Sequence, residues 1–263
     1  MKRTDAVRER RRYLLIAALS PLAVLGIWVF SVKFGWVRSV LMPSPAMVVT
    51  SMVDMFKNGY SSISIYTHIG ISLARVLTAY VLGSVLGTAV GILRGRVPVF
   101  DAALVVPAEI LRPIPPLGLI PLFILWFGIG EVSKIVLIFM VVFLIMMVNG
   151  QAGASNCPPD PIRAAQTLGA SRMQIFRFVI FPSALPQIMT GLRVAMGSAL
   201  SVLVASELLG GDRGLGFVVL DASNFFRTSY VFAGVIMIGI IGLLSDRGLA
   251  WATRHIVHWQ GGR

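Results

Sequence analysis

The apolar residues of this chain are grouped into blocks that are long enough to cross a lipid bilayer. Residues 13–32 contain no charged side chain, and a helix needs about 20 mainly apolar residues to cross the hydrocarbon core. Over the whole chain 56% of the residues are hydrophobic, 13% are charged and the mean hydropathy is +0.84, well above an ordinary soluble domain. We therefore predict an all-α integral membrane protein, since helices satisfy their own backbone hydrogen bonds in lipid.

Six such blocks are present, and we predict that each is a transmembrane helix. The first block follows a basic tail and is too long for the apolar region of a signal peptide, which has about 7–15 residues. The third block contains Pro113, Pro115 and Pro116, so it must be broken or kinked, which lipid tolerates only inside a protein bundle. The six predicted spans are residues 13–32, 68–93, 102–127, 135–148, 185–209 and 230–249.

The formal net charge of +12 is unevenly distributed along the chain. Basic residues are concentrated on one side of the predicted spans, in the N-terminal tail, at 94–96, in the loop at about 151–184 and in the C-terminal segment. The positive-inside rule then places both termini and this loop in the cytoplasm. Because the membrane explains the charge, we expect no nucleic-acid partner.

Two predicted spans carry small residues at intervals of four. Gly83, Gly87 and Gly91 share one face of the second span, and small residues on one face allow another helix to approach closely. Gly191, Ala195 and Ala199 do the same in the fifth span. The pattern predicts a packed helical bundle and carries little information about function.

Motifs that indicate catalysis or nucleotide binding are absent from the sequence. No lysine follows a glycine, so there is no phosphate loop of the G-K-S/T type. The glycine-rich residues 211–216 lack the strand–turn–helix context of a nucleotide site and predict a tight turn instead. His255 and His258 have no nearby carboxylate or thiol to complete a metal site. Cys157, the single cysteine, excludes an intramolecular disulfide and is expected to be accessible in the polar loop.

The segment at 162–186 is polar and helical in pattern although it lies between strongly apolar blocks. An ordinary amphipathic loop helix is one interpretation. Its spacing also resembles the cytoplasmic "EAA" loop of ABC-importer permeases, in which EAA is followed by three residues, Gly, nine residues and I-x-L-P. Arginine stands in place of the leading Glu, and Val and Phe replace Ile and Leu. The matching residues are Arg163, Ala164, Ala165, Gly169, Val179, Phe181 and Pro182.

Further stretches resemble one branch of these permeases, the proteins that import nitrate, sulfonates and taurine, with the taurine permeases most similar. The resemblance covers the chain from about Leu41 to the C-terminus. The similar stretches are residues 111–116, 120–131, 190–193, 205–208 and 213–217.

The resemblance implies the fold of a type I importer permease with six transmembrane helices and a cytoplasmic coupling helix. Residues 1–60 would form a tail, the first helix and a periplasmic loop, and residues 61–263 a permease core with five helices and a coupling loop at about 151–184. The implied partners are a second copy, two ABC ATPase subunits, a periplasmic binding protein and the bilayer of the inner membrane. ATP and Mg²⁺ would bind the ATPase, with no cofactor and no enzymatic activity in this chain.

The resemblance assigns Arg163, Ala164, Ala165, Gly169 and Pro182 to ATPase coupling. The predicted glycine role is to allow close approach of the ATPase. No residue is predicted to be catalytic or to bind a metal.

Four charged residues within the spans are candidates for the substrate pathway, because a buried charge is costly unless it is paired or faces water. Arg75 is the main candidate. For Arg112, an ion pair with Glu109 three residues earlier is the favoured interpretation, with ligand contact as the alternative. Glu207 could pair with Arg213 or face the cavity.

The predicted function is thus the translocation path of an ATP-driven importer for a small anion, taurine or another sulfonate. Nitrate or a vitamin precursor is the alternative ligand. A secondary transporter is less favoured, because we find no internal repeat and only isolated acidic residues, and a membrane enzyme less still, because no catalytic cluster is visible.

Overall fold

The computed structural model describes residues 2–38 and 40–258, and this part of the chain is built from helices without a β-strand. The helices are α1 (Lys2–Lys33), α2 (Pro45–Asn58), α3 (Ile65–Arg96), α4 (Pro98–Leu111), a 3₁₀ turn (Pro116–Leu119), α5 (Ile120–Phe127), α6 (Glu131–Ser155), α7 (Pro159–Thr167), α8 (Arg172–Ile175), a π-turn (Phe176–Ile180), α9 (Phe181–Gly210), α10 (Leu215–Asn224) and α11 (Thr228–Ile256).

Among the described residues, five helices are long and apolar enough to span a membrane, and the number is six if one bent pair of helices counts as a single span. The pair joins Pro98–Leu111 to Pro116–Phe127 at an angle of 89°. The all-α fold and the break in the third span are therefore confirmed. The fifth span begins earlier than predicted, because α8, the π-turn and α9 form one run over Arg172–Leu208. A π-turn inserts one extra residue per turn without ending the helix.

The apolar side chains of α1 point away from the protein. In the most apolar part of this helix no residue is buried inside the protein, and Ile16, Leu22 and Ile27 are all more than 60% exposed. Exposing so much apolar surface to water is unfavourable, whereas the hydrocarbon core of a bilayer accommodates it. The prediction of a membrane-spanning first helix agrees with this surface.

The structured contacts divide the chain into two units. One comprises the chain up to Ser64 together with Val219–Val235, and the other comprises Ile65–Val218 with the chain from Ile236 onward. The predicted division near residue 60 stays a prediction.

In the first unit, polar pairs link α2 to the start of α11. Ser51 bonds Ser229 over 2.8 Å between hydroxyl oxygens, and Tyr230 donates to the Asp54 carboxylate at 2.6 Å. The second bond, helped by Asn58, holds the pKa of Asp54 below its usual value, because it stabilises the ionised carboxylate.

The core of the second unit is a close packing of α3 against α6. A Cβ at Gly87 would lie 2.6 Å from the Phe143 carbonyl oxygen, and one at Gly91 would overlap the Met147 carbonyl. A larger residue at Gly87 or Gly91 can therefore be accommodated only if the backbones of α3 and α6 move apart. On α9, Gly191 packs against Asn149 of α6. The packing role predicted for both small-residue faces is confirmed.

Cys157 is the one clear departure in this unit. The sequence predicts an accessible thiol, but the side chain is only 7% exposed and packs into the apolar core. The prediction was wrong because a polar loop sequence does not show that the chain folds back at Asn156, where α6 ends. Free cysteine behaves as a small apolar residue in such positions.

Candidate functional site

The predicted coupling segment, the loop at about 151–184, contains the short helix α7, which ends in a left-handed turn. Helix α7 begins with Pro159 in its first turn, where a missing N–H costs nothing. At its end Gly169 has φ = +77°, and the next amide, of Ala170, donates back to the Ala165 carbonyl at 3.0 Å. Glycine is the residue that adopts this conformation without strain. A Cβ there would meet no atom within 4 Å, so the turn itself requires glycine.

Next to this turn, a second helix start is well capped. The Ser171 hydroxyl accepts from the Gln174 amide, and the Gln174 side chain accepts from the Ser171 amide. This reciprocal pair is a capping box. Two adjacent caps fix the path of the segment, so it is a defined surface and not a loose loop.

This segment exposes large apolar side chains. Leu168 is 87% exposed, Met173 71% and Phe178 69%. Arg163 and Ala164 are also exposed, whereas Ala165 and Pro182 are half-buried. We call Leu168, Met173 and Phe178 the apolar edge of the coupling segment. Single exposed apolar side chains are ordinary, but several in one short polar segment are a feature that a partner-binding surface would use.

The main pathway candidate, Arg75, lies in a buried ion-pair network. Its guanidinium donates to the Glu207 carboxylate at 2.7 Å and to both oxygens of Glu131. The Arg213 carbonyl accepts a further bond at 2.9 Å. The side chain of Arg75 is 3% exposed and that of Glu207 is fully buried, whereas Glu131 is 55% exposed. All but one of the five guanidinium N–H groups are therefore engaged within the chain.

Glu207 also organises the glycine-rich turn at 211–216. The Gly216 amide donates to the carboxylate at 2.8 Å, and the Ser72 hydroxyl donates to it as well. Because Gly216 lies at the start of α10, the negative charge faces a helix N-terminus, which favours anions. Gly214 has φ = +116°, and a Cβ there would overlap the carboxylate. The predicted tight turn is thus a carboxylate-centred one.

Two sequence-predicted pairs differ from the contacts in the structure. Glu207 pairs with Arg75, and the Arg213 guanidinium contacts Asp212 at 3.8 Å instead. Within residues 2–38 and 40–258 no ion pair joins Glu109 to Arg112, and both side chains are exposed. Spacing alone suggested these pairs, but long side chains can reach partners on other helices.

Sequence reasoning missed several residues of the network. In the sequence, Glu131 is only the last residue of a stretch that resembles the permease family, and nothing marks His68 as a member of the network. The His68 ring nitrogen Nδ1 accepts from the Gly214 amide at 3.1 Å. The sequence signal of Glu131 and His68 is weak, because each lies at the end of an apolar block, where a polar residue is ordinary.

No group of three or more His, Cys, Asp or Glu side chains arranged to hold a metal occurs in the described part of the chain. The membrane-crossing helices, the buried ion-pair network and the exposed, predicted coupling segment are together features of a helical membrane transport subunit. Residues 79–258 match the family described as "Binding-protein-dependent transport system inner membrane component", and the chain belongs to this family.

Curated relatives extend the match over nearly the whole chain. The taurine transport system permease protein TauC of Escherichia coli is 38% identical over 246 residues, which are 93% of this chain and 90% of the relative. The putative aliphatic sulfonates transport permease protein SsuC of Bacillus subtilis is 33% identical, covering 97% and 93%. The nitrate import permease protein NrtB of Synechocystis is 34% identical, covering 82% and 80%.

Among solved structures, the inward-facing MetNI methionine ABC transporter has a chain of the same fold. Its TM-score is 0.62 at 20% identity, with 72% of this chain and 94% of that chain covered. The family defines a multi-pass permease subunit of the inner membrane that works with a separate ATPase and a substrate-binding protein. The permease is not itself an enzyme.

Proposed function

We propose that this chain forms the translocation path of an ATP-driven importer for a small anion, taurine or another sulfonate. The observation that carries the proposal is the 38% identity to a taurine permease over 93% of the chain. Aliphatic-sulfonate and nitrate permeases match at 33% and 34% identity, so the shared ligand chemistry is a compact oxyanion. Nitrate is the second candidate ligand on this evidence.

The proposed assembly has two copies of this chain, two ATPase subunits and one periplasmic binding protein. One chain supplies one coupling segment, so two copies provide matching surfaces for two ATPases. The apolar edge, with Leu168 87% exposed, supports this segment as the docking surface. We expect ATP and Mg²⁺ to bind the ATPase subunits, since this chain has no G-K-S/T loop.

The proposed orientation has both termini and the coupling segment in the cytoplasm. The bias of basic residues supports it. ATP then draws the ATPases together, and the coupling segments move the bundles between inward and outward states. ATP and the loaded binding protein each contribute only through a preference for one of these states.

In this scheme Arg75 and Glu207 hold the periplasmic ends of the helices together. Their mutual pairing leaves little capacity to bind a ligand in the arrangement described. We therefore propose a positioning role for both at the end of the path. Arg163, Ala164, Ala165, Gly169 and Pro182 remain the proposed coupling residues.

Uptake into proteoliposomes tests the function. The permease, its ATPase and its binding protein would be reconstituted together, and labelled taurine, ethanesulfonate and nitrate offered with and without internal ATP. We expect ATP-dependent uptake of at least one of these anions. Transport restricted to cations or neutral sugars would overturn the proposal.

A further inference from the structure

Arg112 is a charged side chain without a partner in the described part of the chain. It follows α4 directly, at the break of the bent span. Its guanidinium makes no hydrogen bond or ion pair with any residue of 2–38 and 40–258, and it is exposed. Glu109, its nearest acidic neighbour in sequence, is exposed as well and forms no ion pair within the same two ranges.

Arg112 lies at a depth in the predicted span where an unpaired charge is costly in hydrocarbon. Helix α4 has 14 residues and rises about 21 Å from its start near the basic Arg96. The hydrocarbon core is about 30 Å thick. Charges and non-helical backbone at such depth are tolerated where they face a watery cavity or are buried in protein. The unpaired guanidinium and the broken backbone thus indicate a water-accessible surface here.

Such a surface is present as a cleft of about 340 Å³ between the break and α6. This volume is at the lower end of the range for small-molecule sites, about 300–1,000 Å³. Apart from Arg112, its polar side chain is Asn149, and the wall formed by Met140, Leu144, Ile145 and Val148 is apolar.

The Asn149 side-chain amide is held in position by two hydrogen bonds and still has one N–H group without an acceptor among the described residues. Its oxygen accepts from Gln187 at 2.9 Å, and its nitrogen donates to the Ile145 carbonyl at 2.9 Å. An amide nitrogen carries two N–H groups, so one remains for a ligand. Fixed donors that need no rearrangement bind an anion most effectively.

We propose that this cleft is a binding station for alkanesulfonates on the translocation path, which rests on the proposed function. Arg112 provides the positive charge for the sulfonate, and its planar fork suits an oxyanion. Asn149 provides the second donor. The apolar wall takes the alkyl chain, whose removal from water favours binding.

The same cleft disfavours an ammonium group. No carboxylate lines it among the described residues, so taurine would place its amine against an apolar wall without a charged partner. The station therefore prefers an unsubstituted alkanesulfonate to taurine. A chain of several carbons gains more from the wall than methanesulfonate does.

The test uses the complete transporter in proteoliposomes, with uptake of labelled methanesulfonate, pentanesulfonate and taurine. We expect Arg112→Met to lower uptake of all three at least about tenfold, and Arg112→Lys to lower it less. ATP hydrolysis stimulated by the loaded binding protein should persist, because assembly and coupling do not use this side chain. Arg96→Met is the matched control, since it removes the same exposed guanidinium from a neighbouring position outside the cleft, and it should transport normally.

A second variant keeps the test decisive if Arg112→Met fails to assemble. Leu144→Phe narrows the apolar wall and should reduce pentanesulfonate uptake several-fold more than methanesulfonate uptake. An unchanged chain-length ranking, or equal losses in Arg112→Met and Arg96→Met, would overturn the proposed binding station. If the unmodified transporter moves none of these anions or nitrate, the proposed function itself fails. Normal uptake by the unmodified transporter together with normal uptake by Arg112→Met rejects the station alone.

Discussion

Removal of the Glu207 carboxylate is the sharpest test of the buried network. In Glu207→Ala, Arg75 loses one of its two carboxylate partners in a site where its side chain is 3% exposed. The Gly216 amide and the Ser72 hydroxyl lose their acceptor at the same time. The substitution therefore leaves a charge, an amide and a hydroxyl incompletely paired.

The expected magnitude follows from burial. Breaking a buried ion pair by removing one partner costs about 3–5 kcal/mol, since the remaining charge stays desolvated. Glu131 still neutralises Arg75 from its exposed side, so we expect the lower part of this range. For a domain of this size 1 kcal/mol shifts the unfolding midpoint by about 2–4 °C. The predicted loss is thus about 6–12 °C.

Asp246→Ala provides the matched control. Asp246 also accepts two hydrogen bonds from one arginine, Arg193, but the two side chains are 46% and 44% exposed. An exposed pair contributes about 0.2–1 kcal/mol, which predicts a shift below about 4 °C. The two variants thus remove the same chemical group and differ in burial.

The assay is thermal unfolding of the purified protein in detergent, followed by tryptophan fluorescence at one fixed heating rate so that the midpoints of the variants can be compared. Glu207→Gln should fall between the two, since its amide oxygen still accepts from Gly216 while the charge is lost. Equal shifts for Glu207→Ala and Asp246→Ala would refute the reasoning, because burial would then have no effect.

Three further predictions concern the packing, the coupling turn and the orientation. Gly91→Ala should destabilise the protein by about 1–3 kcal/mol through overlap with α6, whereas Gly70→Ala, on the same helix with nothing within 4 Å of its Cβ, should not; the unfolding midpoint measures both. Gly169→Trp should abolish co-purification of the ATPase while the protein still inserts in the membrane, and normal assembly would contradict the docking assignment. In a Cys157→Ala background, Leu168→Cys should react with a membrane-impermeant maleimide in inside-out vesicles and not in spheroplasts, and the reverse result would contradict the orientation.

The membrane-spanning architecture could be predicted because it depends on local composition. Apolar length alone identified the spans, and three prolines identified the broken one. The glycine face of α3 was readable for a similar reason, since a spacing of four residues places small side chains on one side of any helix. None of these inferences requires knowledge of which helix packs against the one considered.

The buried network could not be predicted, because its members are distant in sequence. Arg75 and Glu207 are 132 positions apart, and Arg75 and Glu131 are 56 apart. Sequence proximity favoured Arg213 as the partner of Glu207, yet the turn at 211–216 directs its backbone and not its guanidinium toward the network. Only the packing of three helices brings these groups together.

The two ends of α6 and α9 explain how such a network bears on transport. Helix α6 begins at Glu131, which binds Arg75, and ends at Ser155, shortly before the coupling helix. Helix α9 begins after the π-turn of the coupling segment and contains Glu207 near its other end. At 1.5 Å per residue, their 25 and 30 residues extend about 37 and 45 Å. Because both helices pack tightly together, a displacement of the coupling segment in the proposed mechanism would also move the ion-paired end. A weakened network would then let that end open locally and transmit less of the movement.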